Sequence, residues 1–101
     1  MLTLPIKKKW FDMIKSGEKK EEYREIKPYY KSRLEKIGLR GGNILLRNGY
    51  SKSSPTLKIG CYITIGHGKE EWGAEPGKSY YVIRILDVEE VKWLLKKCLK
   101  N

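Results

Sequence analysis

From Leu57 to Ile65 every second residue is apolar. Leu57, Ile59, Cys61, Ile63 and Ile65 fall on one face, and Lys58, Gly60, Tyr62 and Thr64 on the other. That is the period of a pleated chain, so residues 57–65 are expected to form a half-buried strand, with Cys61 on its core side as a small hydrophobe. Elsewhere the apolar positions recur at helical spacing. Trp10, Met13 and Ile14, with Phe11 beside them, predict a helix that Gly17 ends, preceded by a first strand over residues 2–6. Tyr30, Leu34 and Ile37 recur at i, i+4 and i+7 behind Pro28, which suits a first helical turn; Gly38 is expected to close this second helix, and Lys31 and Glu35 lie one turn apart, where they can pair. Residues 40–43 read as a turn and 44–48 as a strand covered on both sides. The Ser-rich residues 49–56 read as a mobile loop, and 66–77 as a loop rich in Gly and charge. A further strand is expected over residues 79–88. Residues 89–99 carry acids first and lysines last, as the helix dipole favours, so a third helix is expected there.

One stretch breaks the pattern. Residues 16–25 hold seven charged groups and a single aromatic ring, although Glu and Lys are depleted in strands. Between the helix stop at Gly17 and the helix start at Pro28 there is room only for a short extended segment. Alternation along it places Lys20, Glu22 and Arg24 on one face and Lys19, Glu21, Tyr23 and Glu25 on the other. Two readings fit: a solvated edge strand protected by its charge, or the polar floor of a binding cleft. A related tension lies upstream, where Lys7, Lys8 and Lys9 sit at a helix N-terminus and oppose its dipole. Either these lysines splay into water, or the spot receives an anion.

Composition narrows the function classes. A chain of 101 residues with 40% hydrophobic content, three Trp and seven Tyr is a single folded domain, residues 1–101, with no internal repeat or dividing linker. The net charge of +10, from 22 basic and 12 acidic residues, implies an anionic partner, most often nucleic acid; the alternative is a surface tuned for solubility. No apolar run approaches the ~20 residues of a membrane span, and the N-terminal apolar stretch is too short for a signal peptide. Cys61 and Cys98 are far apart and lack zinc-ligand spacing, which suits a reduced, cytoplasmic protein without a metal or cofactor. His67 is the single His, no Ser-His-Asp signature occurs, and no glycine-rich phosphate loop follows a strand. The order of elements predicts a small α+β fold on a curved sheet or barrel, with helices in the early connections.

Leu2-Thr3-Leu4-Pro5-Ile6-Lys7, the Trp10-Phe11-Asp12-Met13-Ile14 helix, Ser16-Gly17-Glu18-Lys19-Lys20 and Glu22-Tyr23-Arg24 together resemble the ASCH domain. The likeness continues through Ile63-Thr64-Ile65-Gly66 and Tyr81-Val82-Ile83-Arg84-Ile85, although the first thirty residues carry most of it. The resemblance implies a small PUA-like β-barrel with two or three helices, and a cleft beside the strand between Gly17 and Arg24 that takes RNA or modified nucleosides. A similar group of hydrolases acts on acetylated cytidine with a Lys and a Thr three residues apart and a distant Glu. Here Lys19 matches the Lys, the Thr position is Glu22, and Glu70, Glu71 and Glu75 are candidates for the distant acid.

The expected site therefore comprises Lys7, Lys19, Glu22, Arg24 and Trp72, with Lys19 and Glu22 as the candidate catalytic pair. Arg24 is a planar donor suited to phosphate or a base edge, or it pairs with Glu22 to hold the strand. Lys7 either meets a phosphate or lies in solvent. Trp72, in a flexible loop beside Gly73, either stacks on an unpaired base or plugs a barrel end; Tyr23, facing away from Arg24, is expected in the core. The leading function is binding of RNA or of a nucleoside within it. The rivals are a hydrolase acting on a modified nucleoside or RNA, and a protein-interaction module.

Overall fold

The computed structural model describes residues 1–91. Strand β1 (Thr3–Pro5) leads into helix α1 (Lys8–Ser16), strand β2 (Glu21–Glu25) and helix α2 (Pro28–Leu34). Strands β3 (Gly42–Arg47), β4 (Thr56–His67) and β5 (Ser79–Val91) follow as an antiparallel meander. The five strands form one mixed sheet in the order β1-β3-β4-β5-β2, in which only β1 and β3 run parallel. The sheet curls into a half-barrel. Arg24 links its two outer strands: from β2 it donates through Nη2 to the Pro5 carbonyl on β1 at 2.7 Å.

The core lies inside the curl. Leu4, Ile14, Leu34, Ile44, Leu46, Leu57, Ile59 and Ile83 are fully buried there, with Phe11, Cys61, Ile63 and Tyr81 beside them. The periodic stripe of α1 supplies Phe11 and Ile14, as its spacing predicts. Pro28 opens α2, and Tyr30 and Ile37 pack against the core around Leu34. The helix ends at Leu34, four residues before Gly38. Ile37 N–H bonds the Leu34 carbonyl at 3.0 Å, one residue short of α-helical reach, while Glu35, still helical in its backbone, accepts the Tyr81 hydroxyl at 2.7 Å. A 3₁₀ turn over Gly38–Arg40 completes the connection.

The alternation of β4 holds through Ile63 and fails at Ile65, which is 63% exposed. The register slips between Gly60, which faces Asp87, and Cys61, which faces Ile85, so Leu86 is an extra residue on β5. Asp87 caps this bulge by accepting the Gly60 N–H at 3.0 Å, and a Cβ at position 60 would lie 2.7 Å from both carboxylate oxygens. Downstream of the bulge the strand continues through Glu89 and Glu90 to Val91, where a helix is expected from the charge pattern. Glu89 stands opposite Lys58, and the β4 backbone supplies the partners that a local helix would have found in itself. The rest of the expected third helix, including Cys98, lies outside the described residues.

Candidate nucleic-acid interface

The site begins with the way α1 stops. Gly17 takes a left-handed conformation, φ +87°, and its N–H bonds the Ile14 carbonyl at 3.1 Å. The reversed chain then returns the Lys19 N–H to the Met13 carbonyl at 3.0 Å, a helix-closing bond of the kind a glycine stop permits. Lys19 is therefore held against the end of α1 instead of joining the ladder, which starts at Glu21. This overturns the alternation read through the charged stretch: Lys19 and Glu22 are on the same side, with Nζ and Oε1 3.1 Å apart.

Both groups are buried, Lys19 at 1% and Glu22 at 5% exposure, so this pair is not a solvated edge. Lys19 Nζ also donates to the Trp72 carbonyl at 2.7 Å, and it lies 4.9 Å from the Trp10 ring centre and 4.8 Å from that of Tyr23. Arg24 Nη1 bonds the other Glu22 oxygen and the Tyr23 carbonyl (2.8 Å). One carboxylate thus sits between two cations, each with backbone carbonyl acceptors as well. Burial holds the Lys19 pKa below the usual lysine value, and the Glu22 carboxylate opposes that shift.

Above this floor a cleft of about 250 Å³ opens at the unpaired edge between β1 and β2. Lys7, Glu22, Arg24 and Trp72 line it, together with Trp10, Tyr23 and Tyr80. Lys19 does not: its side chain lies beneath the lining with no exposed surface. Tyr23, expected in the core, is instead half-buried on the cleft wall, because β2 is the sheet's edge and both of its faces border the opening.

The loop bearing Trp72 is a fixed wall, where a flexible segment is expected from its composition. β4 runs on to His67, which is exposed and outside the cleft lining, and a 3₁₀ turn holds Glu70–Trp72. Tyr23 Oη accepts the Lys69 N–H at 3.0 Å while donating to Glu21 Oε1 at 2.8 Å, and Tyr80 Oη accepts the Glu75 N–H at 3.0 Å. Burial raises the Tyr23 pKa, so its hydroxyl stays a donor. Close packing completes the attachment: a Cβ at Gly68 would lie 2.6 Å from the Tyr23 ring, and one at Gly73 2.9 Å from the Trp10 ring. Glu70, Glu71 and Glu75, the candidates for a distant acid, are exposed and do not line the cleft.

Three rim aromatics carry a lysine of their own. Lys9 Nζ lies 4.7 Å from the Trp10 ring centre, Lys69 Nζ 4.5 Å from that of Trp72, and Lys78 Nζ 5.4 Å from that of Tyr80. Trp10 and Tyr80 are the wall residues that sequence reasoning missed. Trp10 occupies a position of the apolar helical stripe, and its pairing with the Gly73 turn is a tertiary contact no local pattern records. Among the described residues no group of three or more His, Cys, Asp or Glu is placed to hold a metal, and no helix is long and apolar enough to cross a membrane. Comparison of the chain with known family models, curated proteins and solved structures finds no match.

Proposed function

We propose that the cleft binds a base of RNA, or a nucleoside within it, in the manner implied by the resemblance to ASCH domains of the PUA-like superfamily. The observation that carries this reading is the cleft itself. Aromatic faces from α1, β2, β5 and the Trp72 loop surround a buried ionic floor of one carboxylate between two cations, on a protein whose net charge is +10. Stacking on aromatic faces is the usual way to hold an unpaired base, and basic residues at the rim suit the phosphates around it. Glu22 and Arg24 present polar edges to the ligand, Trp72 and Trp10 present rings, and Lys7 meets phosphate at the start of α1. Lys19 acts from below by fixing Glu22 and the Trp72 carbonyl.

Binding is favoured over hydrolysis. The Lys19 ammonium is occupied by its partners and sealed from the cleft, and among the described residues the lining contains no Ser, Thr or Cys hydroxyl or thiol to act as nucleophile.

The test is a fluorescence titration with single-stranded RNA and with DNA of the same sequence, at low and physiological salt. Trp10 and Trp72, both on the wall, are the expected reporters. Binding is expected to survive physiological salt, to favour RNA, and to weaken roughly 5- to 150-fold in Trp72→Ala. Binding that collapses with salt, ignores the sugar and is unchanged in Trp72→Ala would mean that net charge alone was acting, and would sink the proposal.

A further inference from the structure

Resting on that reading, we infer that the ligand is a strand of at least two nucleotides, with a second base subsite formed by Asn48, Gly49 and Tyr50 on the other side of Lys7. A cleft of about 250 Å³ is smaller than the roughly 300 to 1,000 Å³ of sites that enclose drug-sized ligands. It has room for one nucleoside at most, so the next nucleotide of a bound strand lies outside it.

What lies outside is a second cleft, of about 390 Å³, bounded by Pro5, Ile6, Lys7, Asn48, Gly49 and Tyr50. Pro5, Ile6 and Lys7 are common to both clefts and form the ridge between them. Three consecutive residues span at most about 7 Å, so the two openings adjoin at a distance of a nucleotide step or two.

The chemistry of the ridge and of the far wall fits a phosphodiester linkage with a base on either side. Lys7 is exposed, borders both openings and makes no salt bridge among the described residues, whereas Lys8 is paired with Asp12 and Lys9 lies over Trp10. It precedes the first turn of α1, which has no acidic residue and no side-chain cap, so the N–H groups there remain available to an anion. On the far side Tyr50 is 97% exposed. A ring presented this fully to water contributes nothing to the core, and it supplies a face on which a second base stacks. Its position is set by the β3–β4 connection, where Asn48 N–H bonds the Pro55 carbonyl at 2.8 Å and Gly49 adopts φ +132°. A bridging phosphate at Lys7 with bases directed into opposite clefts also explains why a lysine, and no acid, occupies the ridge.

The experiment compares the four ribonucleoside 5′-monophosphates with the matching homodinucleotides at physiological salt. Wild type is measured beside Tyr50→Ala, Tyr50→Phe and Lys7→Gln. Dinucleotides are expected to bind roughly 5- to 150-fold more tightly than monophosphates. Tyr50→Ala should remove that gain and leave monophosphate binding unchanged, while Tyr50→Phe retains it; the exposure of Tyr50 makes both variants safe for folding. Lys7→Gln should lower the salt dependence of dinucleotide binding by about one unit of slope. Equal binding of mono- and dinucleotides, or a dinucleotide affinity indifferent to Tyr50→Ala, overturns the second subsite and leaves the base cleft standing. Failure of both ligand series to bind overturns the two together.

Discussion

Replacing Glu22 by Gln keeps the shape of the side chain and removes the carboxylate that Lys19 and Arg24 both contact. At 3.1 Å the Lys19–Glu22 attraction is worth about 5 kcal/mol in an effective dielectric of 20, before the cost of desolvating both groups. Removing one member of a buried pair costs about 3 to 5 kcal/mol, because the remaining charge is left uncompensated. The lower end applies here, since Lys19 keeps the Trp72 carbonyl and two ring faces. A loss of about 3 kcal/mol is a large share of the 5 to 15 kcal/mol typical of a domain, and corresponds to a drop in Tm of roughly 12 to 24 °C. The deficit also has a sign in pH. Burial already places the folded Lys19 pKa below its unfolded value, and losing Glu22 lowers it further. Between the folded and unfolded values the folded state then binds fewer protons, so the variant gains stability and its deficit narrows as pH rises towards the unfolded lysine value. Urea unfolding followed by circular dichroism at several pH values measures both effects. Adding Lys19→Met to Glu22→Gln should restore about 2 kcal/mol, because the stranded ammonium is gone. A Glu22→Gln protein within about 0.5 kcal/mol of wild type, or a double variant less stable than the single one, would refute the buried-charge reasoning.

Gly17→Ala is expected to cost about 1 to 2 kcal/mol in thermal unfolding, entirely from the left-handed backbone, since an added Cβ meets nothing within 4 Å. Gly60→Ala should destabilise by more than that, and pairing it with Asp87→Gly should recover part of the loss, because the clash is with the Asp87 carboxylate; a variant as stable as wild type would mean the bulge is free to shift. Burial pushes the Cys61 thiol up to about 11, so in a Cys98→Ser background it should resist a thiol reagent at pH 8 until the protein unfolds. The same shift stabilises the fold below the unfolded thiol pKa, and this contribution is lost as pH rises from about 9 towards 11, on the order of 2 kcal/mol.

Local periodicity carried the parts of this fold whose partners are near in sequence. The stripe of α1, the Pro28 start of α2 and the inward set from Leu57 to Ile63 all follow from spacing. The errors arise where a distant group decides. Asp87 reaches 27 residues back to Gly60 and shifts the β5 pattern. The candidate site divides in the same way. Lys7, Glu22, Arg24 and Trp72 are legible as charged or aromatic residues out of place, and they do converge. The depth of Lys19 was illegible, since it depends on a cap that removes one residue from the alternation. Trp10 and Tyr80 were hidden because wall and core residues have the same composition.

The lysines that cover Trp10, Trp72 and Tyr80 make any stacking event an exchange. A base that lands on one of these rings evicts an ammonium already resting there, and the net gain is the difference between the two contacts. A weak stacker with no negative charge gains little from that trade. A nucleotide gains twice, because the evicted cation is released beside the phosphate that accompanies the base. Under the proposed function, the rim would thereby favour molecules that bring a flat ring and an anion together, before any hydrogen-bonding group on the floor is reached.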